Sequence, residues 1–415
     1  MIKHDIGHLH CPYFEEIYDS GLHLLLIPRK SQLKSASITI CRGGLQHERE
    51  IASSKIPFGT AYYLSQAILS PDFKNELKKD GISASLSFDY SYTIYQLDTV
   101  NDLYKGVAKL MKRIAKACYK EDDVTSIWER EKKTPSSLEI AQKKVLEGLY
   151  TASPIRYGVK PNSEEGKRIH ASALKKYQDA NYICPNLLIT LALDDTPEHM
   201  IEELKKMDFP SLSSKEDEKP LLYLEDYKNL VKEYQEVKSE EPSSLLTYGI
   251  KLAPRQNLYE AFGQSLFADY ELLTPLLFNE NAAFLDEIHS RRALLEDVSL
   301  KVGAEDACLL LSFRTEDPDP VLTYLTEFFA HPDKQYTGSL FHTVQEAYFL
   351  KAEEELSNPS FAVSRFAKAS ADHIPYTELV RQIHNLSVGT ASKFFATFAQ
   401  YKRAAFFLKK ENSGK

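Results

Sequence analysis

Three polar side chains lie on one face of a predicted helix, at a spacing that zinc enzymes use for catalysis. The apolar stretch 59–69 predicts a helix, and within it Tyr62, Ser65 and Gln66 lie three and four residues apart. A histidine, a glutamate and a histidine in this H-x-x-E-H arrangement would bind Zn²⁺ and activate a water molecule. Tyrosine, serine and glutamine are not typical zinc ligands, and a serine hydroxyl is no general base at neutral pH. The residue types therefore argue against zinc catalysis on this helix.

A second set of metal-capable side chains lies near the N-terminus, in His4, His8, His10 and Cys11. Their spacing fits no zinc template, and we predict neither a metal site nor a cofactor for the chain. The five cysteines are odd in number and scattered, with no pair at C-x-x-C spacing. This usage favours reduced thiols in a cytoplasmic protein over a disulfide framework.

Composition and charge indicate an ordinary globular protein. The length of 415 residues suggests two or three domains. A formal net charge of -8, with no dense basic tract, argues against nucleic-acid binding. The N-terminus has no apolar signal segment. No uncharged run approaches the roughly 18 residues of a membrane span. We therefore expect a cytoplasmic protein with no membrane span and no nucleic-acid partner.

Hydrophobic periodicity predicts the same kinds of element in both halves of the chain. In the first half, strands at 21–28 and 35–41 precede the 59–69 helix. A pair of strands follows over 81–97, with its turn near Asp89. The second half opens with a strand at 244–252, continues with helices and a strand at 307–313, and closes with a strand at 403–408. The predicted fold class is α+β, with two homologous modules, each a mostly antiparallel sheet flanked by helices.

The polar and charged run that follows residue 210 separates the two predicted modules. Such runs commonly act as linkers between domains. We predict an N-terminal module at 1–209, a linker at 210–242 and a C-terminal module at 243–415.

The ordered set of these segments resembles the pitrilysin-like peptidases, the inverted-zincin group that includes insulin-degrading enzyme and mitochondrial processing peptidase. Residues 21–28 are similar to the opening strand of that family, and residues 59–66 (GTAYYLSQ) are similar to its G-[IL]-A-H-F-L-E-H motif. Residues 149–158 and 177–194 fit as well, as do 284–288 and 357–359 in the second half. The resemblance spans nearly the whole chain. It is closest to bacterial members of this size, which work as pairs of two-domain subunits.

The resemblance implies where a metal site would lie and what has been lost from it. It places Tyr62 and Gln66 at the two histidine positions and Ser65 at the position of the general base. A third ligand, a glutamate, would come roughly 70 to 80 residues later. That region offers Glu129, Glu131 and Glu139 only as formal candidates. We therefore predict no catalytic residue and no metal ligand. Tyr62 and Tyr63 are expected to pack the former site, and Gln66 to form a hydrogen bond within it.

The resemblance also implies how a zinc-free subunit could assist peptide cleavage by its partner. Zinc-free subunits of paired enzymes can supply an arginine and a tyrosine that stabilise the oxyanion. In the matching stretch, 287–298, the arginine position holds His289 and the tyrosine position holds Glu296. We interpret the neighbouring Arg291 and Arg292 as solvated helix residues, so direct catalytic help is not predicted.

Peptide binding can survive the loss of catalytic side chains. Members of the family hold an extended peptide by adding it as a strand to a sheet edge, largely through backbone groups. The alternative is an ordinary strand edge that serines keep soluble. The matching edge, which we predict as the peptide-binding site, is Ser83, Ala84, Ser85, Leu86, Ser87 and Phe88.

Three functions remain open from the sequence. The first is a catalytically inactive subunit of a heterodimeric zinc peptidase. Its partners would be an active H-x-x-E-H subunit of the same family and a peptide substrate, and the resemblance implies antimicrobial or leader peptides as substrates. The second is a non-enzymatic scaffold or peptide-binding protein that acts alone. The third is a residual enzyme that uses unfamiliar ligands.

Overall fold

A computed structural model of the protein describes residues 1–6, 9, 11–48, 56–116, 118–132, 135–207, 225–239, 243–252, 266–278, 283–302, 306–371 and 374–411. Strands β1 to β12 run over Ile2–Asp5, Pro12–Ile17, His23–Pro28, Lys34–Ile40, Ile82–Phe88, Thr93–Thr99, Leu187–Leu193, Tyr234–Ser239, Leu245–Lys251, Leu294–Val302, Ala307–Arg314 and Lys402–Lys410. Helices α1 to α15 run over Thr60–Ile68, Pro71–Lys79, Leu103–Lys116, Glu121–Glu131, Ser137–Leu149, Ser163–Gly166, Ala171–Asn181, Pro197–Lys205, Leu266–Leu277, Ala283–Ser290, Asp319–Phe328, Gly338–Ser357, Pro359–Ala371, Tyr376–Asn385 and Val388–Ala396.

The described strands form two sheets, and the five strands of the second sheet have the same order and pairing as five strands of the first. The first has seven strands in the order β1-β2-β3-β7-β4-β6-β5, and the second has five in the order β10-β11-β9-β12-β8. In each sheet one pair is parallel, β3 with β7 and β8 with β12, and the remaining pairs are antiparallel. Strands β3 to β7 therefore correspond one to one with β8 to β12. This correspondence confirms the predicted α+β fold with two homologous, mostly antiparallel modules.

The chain forms two compact units from interleaved segments. One unit comprises Met1–Lys133, Val159–Leu221 and Phe349–Glu378, and the other comprises Thr134–Gly158, Leu222–Tyr348 and Leu379–Lys415. Helix α5 thus packs on β9 and β12 of the second unit, and helix α13 packs on β4 and β7 of the first. The module boundaries at 209 and 243 stay a prediction. Within the predicted linker, Tyr234–Ser239 is strand β8, which pairs with β12.

The core of the first unit lies between one face of the seven-stranded sheet and a layer of helices that includes α1, α2, α3 and α7. Leu24, Ile38, Leu97 and Ile189 from the sheet are buried there. Side chains alternate across a strand, so the other face of β4 carries the small residues Ser35, Ser37 and Thr39, all buried. The alanine-rich helix α13 packs on this face, where small side chains on both surfaces permit a close approach.

The core of the second unit is rich in aromatic side chains. Phe284 packs edge-on against both Phe278 and Phe328, with ring centroids 4.9 Å apart in each pair. Large aromatic side chains contribute much of the buried apolar area in such a core. On the opposite face of the five-stranded sheet, helix α5 lies so close to Gly249 that a Cβ atom there would come within 2.3 Å of Val145.

Candidate peptide-binding site

Strand β5 lies at the edge of the seven-stranded sheet, as the peptide-binding prediction requires. It pairs antiparallel with β6, and no other described strand pairs with it. Its side chains alternate: Ser83, Ser85 and Ser87 are exposed, whereas Ala84, Leu86 and Phe88 are half-buried and pack against the core of the unit. The six predicted residues therefore form one continuous strand edge. Whether this edge binds a peptide stays a prediction.

The hairpin turn between β5 and β6 determines which backbone groups of β5 face outward. The Asp89 N–H donates to the Tyr92 carbonyl at 3.0 Å, which makes this opposed pair a hydrogen-bonded one. Hydrogen-bonded and non-hydrogen-bonded pairs alternate along an antiparallel ladder, and the register continues without a shift. The backbone groups of the three serines consequently face β6. Those of Ala84, Leu86 and Phe88 face the open edge, where an added strand would meet them.

Helix α1 begins beside this edge, and its N-terminus is capped by Glu48, which lies outside the helix. Gly59, just before the helix, has a φ of 90°, and a Cβ atom there would lie 2.5 Å from Pro161. The buried carboxylate of Glu48 accepts hydrogen bonds from the Gly59 N–H at 3.0 Å and the Ala61 N–H at 2.7 Å. A negative charge at a helix N-terminus is favourable because it faces unpaired N–H groups. Sequence reasoning missed this cap.

The three positions of the H-x-x-E-H pattern are engaged in packing and internal hydrogen bonds. Tyr62 is buried, and its ring meets the ring of Phe88 edge-on at 5.4 Å. The Ser65 hydroxyl donates to the Tyr62 carbonyl at 2.6 Å. The side-chain oxygen of Gln66 accepts from Arg130 Nη2 at 3.2 Å. Tyr62 is packed and Gln66 forms a hydrogen bond, as expected. Tyr63 is buried as expected.

Glu131 is the glutamate that reaches this helix. The Tyr62 hydroxyl donates to Glu131 Oε2 at 2.7 Å, and Arg130 Nε donates to Glu131 Oε1 at 3.1 Å. Burial, the hydrogen bond to Glu131 and the charge of Glu131 together raise the pKa of Tyr62 well above its ordinary value. Burial and the charge of Glu131 raise the pKa of Tyr63 to about 12. Both hydroxyls therefore stay protonated at neutral pH.

These residues do not fit a zinc ion. Zinc sites use imidazole, thiolate and carboxylate ligands, and here only Glu131 is of that kind. Its carboxylate is already paired with the Arg130 guanidinium, whose positive charge would oppose a divalent cation. Over the described ranges, no three His, Cys, Asp or Glu side chains lie close enough together to hold a metal ion.

The other candidate glutamates have structural partners. Glu129 forms a surface ion pair with Lys132. Glu139 closes a capping box at the start of α5, where its carboxylate accepts from the Ser136 N–H at 2.9 Å. Neither glutamate takes part in the contacts between α1 and Glu131.

In the candidate stretch for oxyanion stabilisation, Arg291 and Glu296 both form ion pairs within the chain. His289 lies in α10, and Glu296 pairs with Arg314 across the sheet. Arg291 and Arg292 were expected in a helix, but they lie in the turn between α10 and β10 because the helix ends at Ser290. The Arg291 guanidinium pairs with a glutamate of α10 and stacks over the ring of Tyr324 at 4.4 Å.

The N-terminal histidines are only partly described. His8 and His10 lie outside the described residues. His4 Nε2 is 2.8 Å from Glu15 Oε2, and Cys11 is a buried free thiol. Within the described part of the chain, every helix is too short or too polar to span a bilayer.

No protein-family model matches the sequence, and no protein with a curated function matches it. Solved structures do match. An M16-like peptidase from Alicyclobacillus acidocaldarius has a TM-score of 0.79 at 15% identity, over 97% of this chain and 99% of that one. A peptidase M16 inactive domain from Pseudomonas fluorescens has a TM-score of 0.74 at 13% identity, and the match covers 97% of this chain and 99% of that domain. The periplasmic protease PqqL from Escherichia coli has a TM-score of 0.68 at 14% identity, over 97% of this chain and 48% of PqqL.

The chain therefore has the two-module α+β fold of the M16, or pitrilysin-like, peptidases. The sequence resemblance implied this fold, and the comparison confirms it. At these identities the likeness establishes the fold, and function has to be argued from the site itself.

Proposed function

We propose that this chain is the non-catalytic subunit of a heterodimeric zinc peptidase, which holds an extended peptide at β5 and supports a zinc-bearing partner of the same fold. One observation carries the proposal. The open edge formed by the backbones of Ala84, Leu86 and Phe88 ends against Tyr62, on a helix whose ligand positions cannot hold zinc. The strand edge is open to an added strand, whereas the described side chains at the ligand positions of α1 are not ones that would cut a peptide.

A partner follows from the chemistry that is missing. The described side chains near Tyr62 do not form a set of zinc ligands, and the one carboxylate beside it, Glu131, is already paired with Arg130. We infer that a second protein supplies the metal site. Two comparisons support this reading: one similar structure is described as an inactive M16 domain, and this chain matches only about half of the PqqL chain.

The edge itself suggests the substrate class. The exposed side chains of β5 are serines, which carry no charge and little bulk. Recognition through backbone groups then tolerates many sequences, as short antimicrobial or leader peptides would require. The five cysteines form no disulfide with one another, which supports a reducing compartment, the cytoplasm.

The test combines the purified chain with an H-x-x-E-H homologue from the same genome and a fluorescent extended peptide. The proposal predicts an equimolar complex and faster peptide cleavage than by the homologue alone. It also predicts no cleavage by this chain alone in zinc-containing buffer. Absence of a complex together with an unchanged cleavage rate would refute the partner role. Chelator-sensitive cleavage by this chain alone would refute its non-catalytic nature.

A further inference from the structure

We propose that a reciprocal pair of side-chain contacts between α1 and α4 takes the place of a metal ion, with Glu131 at the position of the third ligand. Tyr62 and Gln66 lie one turn apart on α1, and Arg130 and Glu131 are adjacent on α4. Tyr62 donates to Glu131 at 2.7 Å, and Gln66 accepts from Arg130 at 3.2 Å. Each helix therefore gives one donor and one acceptor.

The charges within this group are balanced without a metal. The Glu131 carboxylate accepts from the Arg130 guanidinium at 3.1 Å, and both side chains are partly shielded from solvent. Hydrogen bonds that involve a charged group are stronger than neutral ones. The guanidinium thus supplies the positive charge that zinc would otherwise bring to the carboxylate.

The contact with α1, and not the chain separation, selects Glu131 as the third-ligand position. Glu131 follows Tyr62 by 69 residues, just short of the roughly 70 to 80 that the resemblance implies. Glu139 lies within that range but caps α5 instead. Of the three candidate glutamates, only this one has a hydrogen bond to α1 among the described residues. The inference does not depend on peptide binding or on a partner.

The first test is a double-mutant cycle on the urea unfolding midpoint, with Tyr62→Phe and Glu131→Ala. If the two side chains act together, the double variant loses less stability than the sum of the single variants. A matched cycle of Tyr62→Phe with Glu129→Ala, two residues away on the same helix, should be additive. Additive losses in both cycles would overturn the proposed contact.

The second test restores a metal site and reads zinc binding by calorimetry. Tyr62→His and Gln66→His supply two ligands, and Arg130→Ala removes the opposing cation. This triple variant should bind one zinc ion per chain. Adding Glu131→Gln should weaken binding by at least about tenfold, the lower limit seen when even an outer-shell partner is removed. Equal affinity with and without Glu131, or no zinc binding by a triple variant that circular dichroism shows to be folded, would refute the third-ligand position. If the triple variant does not fold, the same zinc measurement uses Tyr62→His with Gln66→His in the native Arg130 background, with and without Glu131→Gln, and equal affinity of the two refutes the third-ligand position.

Discussion

The ring of Phe88 meets the ring of Tyr62 edge-on, with centroids 5.4 Å apart. Phe88 ends the strand whose outer backbone groups are open, and Tyr62 lies on α1 at the first position of the H-x-x-E-H pattern. One packed contact therefore joins the proposed peptide-binding edge to that helix.

A proline at the open edge should prevent strand addition and leave the sheet intact. The Ala84 N–H faces away from β6, so Ala84→Pro removes an outward donor without removing a ladder hydrogen bond. We expect the dissociation constant of a fluorescent extended peptide to rise by at least about tenfold, roughly 1.4 kcal/mol, within the range for a hydrogen bond.

The matched control for this strand is Ser85→Ala, which removes an exposed hydroxyl and leaves the backbone unchanged. Its peptide affinity should equal that of the native chain. A loss with Ser85→Ala comparable to that with Ala84→Pro would mean that side chains, not the backbone edge, bind the peptide.

The start of α1 should tolerate no side chain at Gly59. Its φ of 90° disfavours other residues, and an added Cβ would lie 2.5 Å from Pro161. We expect Gly59→Ala to cost about 2 to 4 kcal/mol in urea unfolding, because backbone strain and the clash with Pro161 both act. A loss below about 1 kcal/mol would contradict the close packing at Gly59.

A buried ion pair holds the second unit together. Lys251 Nζ donates to Glu225 at 2.6 Å and to the carbonyls of Leu149 and Asp226 at 2.9 and 2.6 Å. All three ammonium hydrogens are thus used. Breaking such a pair leaves a buried charge without its partner, so Lys251→Met should cost about 3 to 5 kcal/mol in urea unfolding.

The control for this pair is Lys409→Met, which removes an exposed pair with Glu236 and should cost about 0 to 1 kcal/mol. A loss at Lys251 no larger than the loss at Lys409 would show that the buried pair does not stabilise the fold.

Because of the Lys251–Glu225 pair, the free energy of unfolding should depend on pH in the acidic range. Burial raises the pKa of Glu225, but hydrogen bonds from Lys251 and from the N–H groups of residues 151 to 153 outweigh it and hold the pKa below its ordinary 4.5. A carboxylate whose pKa is lowered in the folded state stabilises the protein above its unfolded pKa. That stability is lost as pH falls through the folded pKa.

Glu225→Gln removes this pH-dependent contribution. The gap in urea midpoint between the native chain and Glu225→Gln should be largest near pH 7 and should narrow as pH falls below 4.5. A gap that stays constant across this range would contradict the role of the ionised carboxylate.

Local patterns predicted the elements that have clear periodicity. The alternating serine and apolar residues of 82–88 and the turn near Asp89 gave β5 and β6, and the apolar stretch at 59–69 gave α1. Four strands, β1, β2, β8 and β10, were missed because they are largely exposed or half-buried, and three of them lie at sheet edges. Such strands need no continuous apolar run, so the sequence signal is weak.

The sequence did not predict which elements far apart in the chain pack against each other. A periodic pattern predicts a helix over 137–149. It does not predict that this helix packs on β9 or on β12, which begin only at residues 245 and 402. The chain separation did not single out Glu131, because Glu139 fits the expected range better and yet has no hydrogen bond to α1 among the described residues. Choosing Glu131 over Glu129 needed the helix geometry, because neighbouring residues point in different directions around α4.

The most direct test of the proposed function is the rate at which an H-x-x-E-H homologue from the same genome cleaves an extended peptide in the presence of this chain. The native chain should accelerate cleavage, Ser85→Ala should do so equally, and Ala84→Pro should give the rate of the homologue alone while still forming the complex. Equal acceleration by Ala84→Pro and the native chain would contradict the account, because the open edge of β5 would then play no part in holding the substrate.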